Sequence, residues 1–209
     1  MRLGGLGRRA QLVAVALAGV LVVLISGGPL VNSRAQAATI SFKQVNAREI
    51  TSGTVNSVAF TSANQSGNLI VVYAVWGNTG SVTVRDSRGN AYVSAQAATT
   101  WGSGNTSRAQ VFYAKNVAAG ANTVTATFSS SVSGSFGIVY IHEYAGIDKV
   151  NPLDVSKSAK GSGTALNSGS ATTTNANDLI FGAGAVAGTI SSAGAGFATR
   201  FHRHTPVRS

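Results

Sequence analysis

Cysteine is absent from all 209 residues, which rules out disulfides, thiolate metal sites and thiol nucleophiles. Carboxylates are scarce, at six in the whole chain, so little is available for paired-acid catalysis or a multi-carboxylate calcium loop. Charged residues make up 11% of the chain and proline occurs three times. No stretch beyond residue 37 carries a 3.6-residue apolar stripe with a cap at each end, which argues against a helical fold. A Lys/Arg run or basic helical stripe is also missing, so the formal charge of +10 is not a nucleic-acid footprint.

What is present begins with a leader. Arg2, Arg8 and Arg9 form a basic start, an apolar run extends from Leu12 to Ile25, and Pro29 leads to Ala35-Gln36-Ala37. Basic, apolar and small-residue regions in that order build a secretory signal peptide, so residues 1–37 are expected to direct export. The apolar run is shorter than the ~20 residues that cross a bilayer as a helix. Membrane contact is therefore expected only through the leader during export. Arg8-Arg9 also suits a twin-arginine signal, but Gln11 and the Leu/Val-rich core fit the general secretory route better. Without Arg2, Arg8, Arg9 and Arg34, twelve basic residues face six acidic ones, a net +6. Arg200, Arg203 and Arg208 supply half of that excess.

The remainder is long enough for one domain with its own core. Short β-type runs recur at 39–43, 55–60, 69–76, 81–85, 91–95, 109–114, 122–128, 136–144 and 179–186, separated by Gly/Asn turns such as Gly77-Asn78-Thr79-Gly80 and Asp86-Ser87-Arg88-Gly89-Asn90. That rhythm predicts an all-β fold, an antiparallel β-sandwich of jelly-roll or Ig-like type over residues 38–199, with an irregular basic tail at 200–209. Val82 and Val84 alternate with Thr83 and Arg85, the pattern of a strand with one buried face. Leu69–Trp76 is apolar on both faces and predicts a central strand whose outer face needs a cover, such as a loop. Residues 96–107 and 154–178 read as long polar loops, the latter alternatively as irregular edge strands.

The phrases Val82–Tyr92, Val111–Asn116 and Glu143-Tyr144-Ala145-Gly146-Ile147 resemble largely uncharacterised β-sandwich modules of secreted bacterial proteins, over about residues 39–199. The resemblance implies a sandwich and an extracellular setting, and it carries no activity, since fold does not imply function. Such modules continue past a Gly-Phe-x-x-Arg element, here Gly196-Phe197-Ala198-Thr199-Arg200. Against that pattern, residues 201–209 read as a truncated or frame-shifted end that leaves a sheet edge unpaired.

Candidate chemistry is thin. Asp86–Asn90 could be a calcium loop, but one carboxylate beside Arg88 reads better as a hairpin in which Asp86 accepts backbone N–H groups and Gly89 or Asn90 takes positive φ. Glu143 shares its strand face with Val139 and Ile141, which reads as a structural hydrogen-bond anchor or, alternatively, a catalytic acid. His142 faces the other way. His202 and His204 could form a metal pair on a strand, with no third ligand in view. No Gly-x-Ser-x-Gly occurs. Trp101, in a Gly/Ser/Thr loop, either contacts a ligand, with Trp76 and Arg108 bordering the same surface, or folds back as the cover for strand 69–76. The chain thus reads as a secreted, non-catalytic module with a binding, adhesive or architectural role at the cell surface. No cofactor and no nucleic acid are expected, and the expected partner is a polysaccharide or a cell-surface protein. The competing reading is a carbohydrate-binding appendage or fragment of an extracellular hydrolase.

Overall fold

Leu69–Trp76, here β4, buries all eight of its residues, and that fact organises the fold. The structure, a computed structural model, describes residues 9–17 (as backbone), 39–186 and 188–201. Most of the leader and the His202/His204 pair lie outside the described residues. The other strands are β1 (Arg9–Leu17), β2 (Ser41–Ile50), β3 (Val55–Ala59), β5 (Val82–Asp86), β6 (Val93–Ser94), β7 (Thr99–Trp101), β8 (Ser107–Ala114), β9 (Thr123–Phe128), β10 (Gly137–Ala145), β11 (Leu153–Ser162) and β12 (Leu179–Val186). The chain is an all-β, antiparallel sandwich. The helical structure among the described residues is a 3₁₀ turn at Ser103–Asn105, and no helix there is long and apolar enough to cross a membrane.

Three sheets stack. The central one has the order β2-β10-β4-β8-β6, with β7 also on β8; the second is β3-β9-β5 and the third β11-β1-β12. Successive strand residues point to opposite faces, so β4 serves two cores. Ile70, Val72, Ala74 and Trp76 pack with Val124, Ala126 and Phe128 of β9 in the first core. Leu69, Val71, Tyr73 and Val75 join a second core with Phe181 of β12, flanked by half-buried Leu153 of β11 and Leu179, Ala183 and Ala185 of β12.

The strand expectations hold at β3, β4, β5, β8, β9, β10 and β12 to within two residues. The cover of β4 differs from the expected loop: it is mainly the third sheet, whose outer strands come from the 153–186 region and whose middle strand is β1. β11 runs through a segment of Asp, Ser and Lys that shows little apolar alternation, and it forms an edge strand of that sheet. The stretch read as a polar loop at 96–107 contains β7, paired to β8 from Thr99↔Ala109 to Trp101↔Ser107.

Candidate functional site

Glu143 is 1% exposed, and it is held on β10 where a bulge against β2 shifts the register between Glu143 and Tyr144. Four N–H donors converge on it. Gln44 Nε2 (2.6 Å) and Asn64 Nδ2 (2.8 Å) donate to Oε2; Gln65 N (2.9 Å) and Asn68 Nδ2 (2.7 Å) donate to Oε1. A buried carboxylate needs such donors to offset lost hydration. The anchor reading of Glu143 therefore describes its geometry, with both oxygens engaged in holding the 61–68 segment to the sheet. The sequence pointed to a buried acid; its partners, three of them Asn or Gln side chains from distant segments, carry no local signal.

Asp86 plays the same part at the β5 turn. It accepts from Arg88 N, Asn90 N, Asn90 Nδ2, Tyr92 Oη and Asn122 Nδ2 at 2.7–3.1 Å, and Gly89 takes φ +71°. Burial alone would raise the Asp86 pKa, but the hydrogen bonds from Asn122, Asn90 and Tyr92 outweigh it and hold the carboxyl below its ordinary value. The tight turn with Asp86 accepting backbone N–H groups is as expected, but it does not close a hairpin. β5 pairs with β9 and the chain passes to β6 in the central sheet, while Tyr92 and Asn122 reach the carboxylate from outside the turn. Among the described residues no group of three or more His, Cys, Asp or Glu is placed to hold a metal ion.

His142 occupies the opposite face of β10 from Glu143, as its neighbouring position requires. It lies under the third sheet, edge-on to Phe181 at 5.0 Å and stacked with Tyr144 at 6.3 Å. Its Nδ1 is buried with no hydrogen-bond partner among the described residues. Burial, with the Arg200 charge as a second cause, pushes its pKa down to about 4. Such a group is a neutral ring in an aromatic core.

The three residues proposed for ligand contact do not share a surface. Trp76 is 1% exposed, its ring 6.1 Å from Phe128 and its Nε1 donating to Gly80 O at 2.9 Å. It therefore leaves the candidate set, because an even position on β4 faces the first core. Arg108 pairs with Trp76 across the β4–β8 ladder and shares that face, since directly opposed residues project to the same side. Its Nε is buried without a hydrogen-bond partner among the described residues. Trp101 pairs with Ser107, one position from Arg108, and so falls on the other face. There it is half-buried against the second core, which is the cover geometry, shared with the third sheet.

Next to Trp101 the surface opens into a shallow groove of about 420 Å³ between Gln96–Thr100 and Ser158–Lys160 of β11. Ser156 Oγ donating to Ala95 O (3.1 Å) and Gln110 Nε2 donating to Gln96 O (2.9 Å) fix its walls. Apolar surface is exposed on the outer side of β12, at Ile180 (42%) and Phe197 (48%). Sequence reading found neither feature, because both depend on β11 and β12 lying over the central sheet. Comparison of the chain with protein-family models, with curated proteins and with solved structures finds no match in any of the three.

Proposed function

We propose that the chain is an exported, non-catalytic module with a binding, adhesive or architectural role at the cell surface, taking a polysaccharide or a cell-surface protein as partner. The observation that carries this reading is the fate of Glu143. Acid–base chemistry needs a carboxyl that reaches substrate, and this one is sealed from solvent by four N–H donors. Asp86 is likewise engaged, by its own turn and by Tyr92 and Asn122. The leader supports export, and the resemblance to Ig-like or jelly-roll modules of secreted bacterial proteins agrees with it.

The contact surface we assign is the groove between Gln96–Thr100 and Ser158–Lys160, with Trp101 at its side. Its lining mixes Thr, Ser, Gln and Lys side chains with three alanines, which also suits the second reading, a carbohydrate-binding appendage of an extracellular hydrolase, because sugars combine hydroxyl groups with apolar ring faces. Trp101→Ala decides between contact and cover. Weaker pull-down on cell-wall polysaccharide at unchanged melting temperature supports contact. A lowered melting temperature with pull-down intact leaves Trp101 as cover only. Export is tested separately, by mass spectrometry of the N-terminus in the culture medium; retention of the chain inside the cell would sink that part.

A further inference from the structure

We propose that the groove between Gln96–Thr100 and Ser158–Lys160 selects an anionic glycan, a sugar chain bearing carboxylate or phosphate groups, and that Lys160 reads its charge. The inference rests on the reading of this groove as a contact surface, and adds to it the class of ligand.

Strand parity fixes which face of β11 meets the groove. Ser156 Oγ donates to Ala95 O of the central sheet, so Ser156 turns inward, and Ser158 and Lys160 follow it at two-residue intervals. Lys157 stands on the opposite face of the same strand. Both lysines are exposed, but Lys160 lines the groove and Lys157 does not. No Asp or Glu is among the lining residues. The carboxylate on β11 is Asp154, about 20 Å from Lys160 along the strand, and it accepts from Thr174 N and Oγ1. The Lys160 ammonium therefore meets no neutralising acid in the groove wall.

The rim also holds donors without acceptors. Gln96 Nε2 is buried with no hydrogen-bond partner among the described residues, as is Arg108 Nε, and Arg108 stands directly opposite Thr100 across the β7–β8 ladder. The Thr99 hydroxyl is unpartnered too. Unpaired donors favour a ligand rich in acceptors, and anionic oxygens are the strongest acceptors for N–H and ammonium groups. In the bound state Gln96 and Thr99, which both line the groove, turn these atoms to the ligand by side-chain rotation. Three alanines separate the polar groups, and Trp101 lies half-buried beside them. Small apolar surfaces next to hydroxyls match a sugar ring, whose faces are apolar and whose rim is polar; a bare anion would use the ammonium alone.

The test measures binding of the full chain, in which β1 pairs with β11, to two matched pairs of polymers at low ionic strength. Polygalacturonate is set against its methyl ester, and phosphomannan against neutral mannan. The charged member of at least one pair is expected to bind about fivefold more tightly than its neutral match, the scale of an exposed ion pair, and added salt should screen the preference. The pair that shows it tells carboxylate from phosphate. Lys160→Gln should abolish the preference, while Lys157→Gln, an equal change of net charge on the other face, should leave it. Lys160→Arg keeps the charge and should keep the preference, which separates lost charge from lost structure. Equal loss in Lys160→Gln and Lys157→Gln would assign the preference to bulk charge and overturn the proposal. Equal binding of charged and neutral polymers overturns it too; if Trp101→Ala weakens that binding, the groove stands as a contact surface and the ligand class alone has failed. Binding to none of the four polymers overturns the proposal together with the polysaccharide partner.

Discussion

Asn68 Nδ2 donates to Glu143 Oε1 at 2.7 Å, a buried contact between residues 75 positions apart. It ties the approach to β4 to the far end of β10. With Asn64 and Gln65 on the same carboxylate, it makes one side chain the clasp for the 61–68 segment.

Glu143→Gln keeps the shape and turns one acceptor oxygen into a donor facing other donors. Leaving buried N–H groups unpaired costs about 3 kcal/mol. Urea denaturation should therefore show a large fall in stability with an unchanged slope. A change under about 0.5 kcal/mol, the range of an ordinary surface substitution, would mean that the clasp is not formed.

Asp86 and His142 should separate in pH. The folded Asp86 pKa is lowered, so its contribution is complete above the unfolded value of about 3.9 and fades as pH falls through the folded value. His142 acts higher. Its folded pKa is about 4 against about 6.5 unfolded, so between those values the unfolded chain binds more protons and stability drops as pH falls. For this buried ring the loss amounts to roughly 3 kcal/mol, at 1.4 kcal/mol per pH unit. Stability measured from pH 7 to pH 4.5 should decline in the wild type and stay nearly flat in His142→Phe; parallel curves would refute the assignment. Asp86→Asn should lower stability by a nearly constant amount above about pH 4, leaving the His142-dependent slope in place, and its difference from the wild type should shrink as pH falls further.

Two glycines distinguish backbone strain from collision. Gly89 has φ +71° with open space around it, whereas Gly146 has φ +80° and a Cβ there would lie 2.7 Å from the carbonyl carbon of Thr39. Gly89→Ala should cost about 1 kcal/mol, the penalty for a side chain in the left-handed region. Gly146→Ala should cost roughly 3 kcal/mol or more, since the colliding atoms are backbone. Equal melting temperatures for the two variants would show that Thr39 does not pass so close.

Phe181 bridges the third sheet to the aromatic face of β10, edge-on to both His142 and Tyr144. Phe181→Ala should lower stability by about 3–5 kcal/mol. By hydrating His142 it should also raise that pKa from about 4 toward its ordinary value, which imidazole NMR would read directly. An unchanged histidine titration would mean that Phe181 is not what buries it.

Period-two alternation and turn chemistry were enough to read most strands, because both are local. β4 was visible as a doubly buried strand from its eight apolar residues, and Asp86–Asn90 as a turn from Asp and Gly at the required spacing. The acidic scarcity likewise pointed away from paired-acid chemistry before any coordinates. The tertiary structure decided what covers β4, which face each tryptophan takes, and who satisfies Glu143. β11, half serine and lysine, becomes a strand because β1 supplies its hydrogen-bond partners. Trp76 and Trp101 separate because a one-residue offset in pairing with β8 sends them to opposite sides of the central sheet. The Glu143 clasp is assembled from segments up to 99 residues apart. Backbone pairing and long-range hydrogen bonds depend on register between strands, and register is set only when the sheets stack.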